Sequence, residues 1–78
     1  MAYKIETRVI EDQSIDPSYI VHYQVTDDGH LIGDGIVEYN RQAIHNDITV
    51  SESIPLEARK QVQEQIITAA QHYIKQLQ

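Results

Sequence analysis

At 78 residues, with no cysteine, the chain has room for one small domain and no means of stapling it with disulfides. Twelve acidic against six basic side chains give a net charge of −6, which excludes the basic stripe of general nucleic-acid binding and disfavours an anionic membrane surface. Hydrophobic residues at 41% and charged residues at 23% are ordinary globular usage, so disorder throughout is excluded as well.

The first predicted element is a strand over about 2–11. Tyr3, Ile5, Thr7 and Val9 alternate with Lys4, Glu6 and Arg8, the period-two pattern of a half-buried strand. The same early alternation breaks any apolar run long enough for a signal peptide or a membrane span, which makes the cytoplasm the expected compartment. Asp12, Ser14, Asp16, Pro17 and Ser18 then read as a loop. A second strand is expected over about 18–26, with Tyr19, Val21, Tyr23 and Val25 on its apolar face.

Thr26-Asp27-Asp28-Gly29-His30 is the strongest turn signal, read as a three-residue hairpin loop with a bulge and a left-handed glycine. In that register Thr26 faces His30, Val25 faces Leu31, Tyr23 faces Gly33 and Val21 faces Gly35. A two-residue Asp28-Gly29 loop shifts the pairing by one and turns Asp34 into the core, so the first register is expected. Gly33 and Gly35 then leave room for Tyr23 or for a closely packed helix.

A third strand is predicted over about 30–39 and a fourth, at the edge, over about 43–51, where Ile44, Asn46, Ile48 and Val50 alternate with His45, Asp47 and Thr49. Asn46-Asp47 marks a bulge or break in it. The last third changes period: Val62, Ile66, Ala69, Tyr73 and Leu77, widened by Ile67, Ala70 and Ile74, follow helical spacing over about 54–77. Ser53 is the expected cap, and Pro55 suits a first helical turn. The expected fold is α+β: a three- to four-stranded antiparallel β-meander packed on one long C-terminal α-helix, a single domain over 1–78.

One helix about 10 Å wide cannot cover a sheet of three or four strands at about 4.8 Å spacing. The opposite face is less polar than a solvent face. Ile20 is expected opposite Ile36, with Ile32 close by and Ile10 contributed by the first strand. These four isoleucines form the candidate interface. The expected partner is a second copy of the chain, as a homodimer, or another protein.

Candidate chemistry is sparse. His22 and Asp34 are expected to face each other across the second and third strands, and a surface ion pair is the favoured account of them. His45 and Asp47 share a face at strand spacing, His30 flanks the turn, and His72 lies on the helix surface. Asp27-Asp28-Gly29 lacks the rest of a calcium loop, and Gly33-Asp34-Gly35 lacks the ending of a phosphate loop. No catalytic residue, metal or cofactor is expected. The five tyrosines, with no Phe or Trp beside them, are assigned chiefly to packing. The expected function is a non-enzymatic interaction or self-association module. The alternatives are a small-molecule binder or enzyme with its site at a dimer interface, and an acidic nucleic-acid mimic.

Overall fold

Three strands hydrogen-bond in chain order as an open antiparallel sheet: β1 (Tyr3–Val9), β2 (Ser18–Asp27) and β3 (His30–Asn40), followed by one helix, α1 (Leu56–Leu77). The computed structural model describes residues 3–77. Ala2, the expected start of the first strand, lies outside them. The alternation in the sequence sets the faces as expected: Tyr19, Val21, Tyr23 and Val25 are buried under the helical layer, while Lys4, Glu6 and Arg8 of β1 are exposed.

The hairpin register differs from the expected one. Asp27 pairs with His30 around a two-residue turn, with Asp28 at φ 51° and Gly29 at φ 86°. Two successive left-handed residues match the right-handed twist of the flanking strands, which is why Asp-Gly favours this turn. The pairing then shifts between Thr26/Leu31 and Val25/Gly33, so Ile32 is an extra residue opposite a regular β2. Ile32 is half-buried and packs against the core. Beyond the bulge, Tyr23 faces Gly35 and Val21 faces Val37, two residues from the expected partners. The bulge adds a second one-residue shift to that of the short turn, and the even total restores the faces, so Asp34 stays out of the core by a different route from the one expected.

The fourth strand does not form. Residues 43–55 run as an irregular strap with no ladder to the sheet, bent at Ile44 and His45 and turning at Glu52 and Ser53, although Ile48 and Val50 are buried and Thr49 between them is exposed. The alternation matches the buried side at Ile48 and Val50 alone, and the backbone hydrogen bonds go to side chains instead of a neighbouring strand. Ser51 N–H donates to the Tyr23 hydroxyl at 2.8 Å, and Gln63 Nε2 donates to the Ile48 carbonyl at 2.7 Å. Arg59 donates to the Ile54 and Glu52 carbonyls at 2.7 and 2.8 Å. Asn46, expected as a break, uses its amide to bond both the N–H and the C=O of Asn40, at 2.8 and 3.0 Å.

Helix and strap share one face of the sheet. α1 lies over β1 and β2, burying Ala58, Val62, Ile66 and Ala70 at four-residue spacing. The strap fills the β3 side, where Ile54, fully buried, lies against Gly33. This is how a helix narrower than the sheet leaves no bare core. Leu77, expected on the apolar stripe, is exposed. The helix begins one residue after Pro55, whose carbonyl accepts from Ala58 and Arg59. Ser53, the expected cap, pairs its hydroxyl with that of Ser51 at 2.8 Å.

The loop between β1 and β2 is tied to the end of β3. Asp16 accepts from both Arg41 Nε and Nη2 at 2.8 Å and from the Tyr19 hydroxyl at 2.7 Å. The Arg41 fork, aided by Tyr19, lowers the Asp16 carboxyl from 3.8 to about 2. A depressed folded value contributes stability that is present above pH 3.8 and lost as the pH falls through about 2. A carbon-detected carboxyl titration should place the Asp16 midpoint near that lower value, and Arg41→Ala should move it up toward the ordinary one. An Asp16 midpoint unmoved by that substitution would show that the fork does not form in solution.

Candidate functional site

With helix and strap on one side, the other face of the sheet carries no covering element among the described residues. Its side chains stand in cross-strand rows fixed by the register: Lys4–Thr26–Leu31, Glu6–Gln24–Asp34, then Arg8–His22–Ile36. Ile20 follows, between Glu38 of β3 and Ile10, whose N–H donates to the Ile20 carbonyl at 2.8 Å. Ile20 is half-buried and Ile36 is 58% exposed.

The four isoleucines divide. Ile10 and Ile20 are neighbours, and Ile36 lies on the diagonal from Ile20, since Ile20 is opposite Glu38 and not opposite Ile36 as expected. Ile32 leaves the group, because the bulge turns it onto the core. Leu31 and Ile15, exposed at the two ends of the hairpin region, were not anticipated as apolar surface. The open face is therefore a short apolar diagonal set among charged rows.

His22 and Asp34 are not opposite one another: His22 stands between Arg8 and Ile36, and Asp34 is opposite Gln24. The expected pairing followed from the wrong register. His45 and Asp47 are both exposed on the strap, where with Lys60, Gln63 and Glu64 they line a cleft of about 260 Å³ against α1. His72 bonds Gln76 at 3.1 Å on the helix surface. No group of three or more His, Cys, Asp or Glu side chains able to hold a metal occurs among the described residues. No described helix is long and apolar enough to cross a membrane.

The sheet has two edges, and they differ. In an antiparallel ladder the N–H and C=O of one residue point to the same neighbour, alternating along the strand. The Ile10–Ile20 bond places the even residues of β1 toward β2, so Ile5, Thr7 and Val9 turn their backbone groups outward. Along β3, the Arg41 N–H bond to the Pro17 carbonyl places the odd residues toward β2, leaving Asp34, Ile36 and Glu38 outward. The β3 edge is closed at one end by the Asn46 amide on Asn40 and carries two carboxylates. Those are recognised devices for blunting an edge. At the β1 edge, no described segment bonds Ile5, Thr7 or Val9 from outside. Beside that edge, Thr7, Arg8 and Val9 face Ala69, His72, Tyr73 and Gln76 of α1 across a groove of about 490 Å³ open to solvent.

No family model, curated protein or solved structure matches the chain.

Proposed function

We propose that the chain is a non-enzymatic interaction module that associates with a second copy of itself through its uncovered sheet. The observation that carries this reading is the one-sided fold: both covering elements lie on the same face, leaving the Ile10–Ile20–Ile36 diagonal and the β1 edge unpartnered. Small domains often complete a marginal core by association, and a twofold dimer is the commonest form. The tyrosines support packing over ligand binding. Tyr23 holds the strap, Tyr19 is bonded to Asp16, and Tyr73 meets Tyr19 edge-on with ring centres 6.1 Å apart.

Light scattering on a sizing column over a roughly hundredfold concentration range tests the reading. A mass near twice 9.0 kDa is expected. A constant monomer mass across that range would overturn it.

A further inference from the structure

The charge order of β1 is self-complementary. Lys4, Glu6 and Arg8 occupy one face of the strand, with Thr7 between Glu6 and Arg8. If two β1 strands meet antiparallel about a twofold axis through Thr7, Glu6 stands directly opposite Arg8 of the other copy, and the pair occurs twice. Glu6 and Arg8 are then in the narrow, non-hydrogen-bonded positions, where opposing side chains approach most closely. Ile5, Thr7 and Val9 are the outward-facing residues, and this register sets Ile5 against Val9 and Thr7 against itself. Roughly six backbone hydrogen bonds close across the edge.

The competing arrangements are worse. Sliding the pairing so that Thr7 meets Ile5 sets Glu6 against Glu6 and Lys4 against Arg8, like charges directly opposed. Centring on Ile5 restores a Lys4–Glu6 pair but takes Arg8 out of any pairing with Glu6. Pairing β3 with itself about Ile36 sets Asp34 against Glu38 twice, on an edge already capped by Asn46.

The layers also fit. α1 lies over β1 and β2, so a helix centred between them is about 5 Å from the twofold axis. The two helices then run about 10 Å apart, an ordinary packing distance. The groove beside β1 is lined on the helix side by Ala69, His72, Tyr73 and Gln76.

We infer that the second copy docks on the β1 edge, joining two sheets into one of six strands in the Thr7-to-Thr7 register, with Glu6 and Arg8 selecting it. This rests on the self-association reading and adds its site and register. The Ile20–Ile36 side of the joined sheet stays outside the contact.

Four proteins test it by sedimentation equilibrium: wild type, Arg8→Glu, the double exchange Glu6→Arg with Arg8→Glu, and Ile36→Asp. The three substituted side chains, Glu6, Arg8 and Ile36, are exposed on the open face, away from the core. Arg8→Glu should weaken the dimer at least about tenfold, because two favourable pairs become repulsive. The double exchange should restore affinity to near the wild-type value, and Ile36→Asp should leave it unchanged. A dimer that ignores the β1 charges and dissociates with Ile36→Asp overturns the edge site while the self-association reading stands. A dimer weakened by the double exchange as much as by Arg8→Glu overturns the register. A monomeric wild type overturns both.

Discussion

Ile54→Ala should cost about 2–5 kcal/mol, the range for truncating a fully buried aliphatic side chain where the site cannot collapse. A chain of this length holds only about 4–12 kcal/mol in total. Ile54 is fully buried, and its Cγ1 and Cδ1 occupy the space that a side chain at position 33 would otherwise take. On one side it is backed by the β3 backbone, which cannot move inward without breaking its ladder to β2. Its own carbonyl is clamped by Arg59 from the helix. Neither wall can close over the cavity, so the upper half of the range is expected. Urea unfolding followed by far-ultraviolet circular dichroism checks this, and a loss under about 1 kcal/mol would show that the strap is not anchored there.

Gly35→Ala should destabilise by about 1–3 kcal/mol, the opposite sign from the gain that removing a glycine brings at an unobstructed site. An added Cβ would lie 2.7 Å from the Tyr23 hydroxyl oxygen and 3.0 Å from its Cζ. The ring is buried, and its hydroxyl is committed to the Ser51 N–H of the strap. Shifting the ring therefore also disturbs the strap. Tyr23→Phe alone should cost about 1 kcal/mol, the usual net worth of such a bond. In the Tyr23→Phe background, Gly35→Ala should cost less than it does alone, because the nearest obstructing atom is gone. Strictly additive losses would place the strain elsewhere.

The strands and the helix were legible because their side chains repeat with the period of the structure they form. Tyr19 to Val25 and Val62 to Ala70 name their own buried faces. The hairpin register was not legible, because Asp-Asp-Gly serves turns of two lengths, and a bulge at Ile32 erases the parity that distinguishes them. The His22–Asp34 pairing failed with it. The strap was misread for another reason. Alternation at Ile48, Thr49 and Val50 specifies extended chain with one buried side, but says nothing of where its backbone bonds go. Those bonds end on Tyr23, Gln63 and Arg59, residues 5 to 28 positions away in the chain. The Glu6–Arg8 order around Thr7 was present in the sequence, but it gained meaning only once β1 proved to be an edge.

The strap's side-chain anchors also set an order of events. Its anchors come from both other units, Tyr23 from the hairpin and Gln63 and Arg59 from the helix, whereas neither the ladder between β2 and β3 nor the helix beyond its first turn depends on the strap for its backbone bonds. The strap should dock last during folding. In the native protein it should be the first cooperative unit to open, exchanging its amide hydrogens while β2 is still protected. Each opening bares the β3 half of the core and leaves the β1 edge as it was, so the molecule can loosen at one side of its sheet without releasing the other.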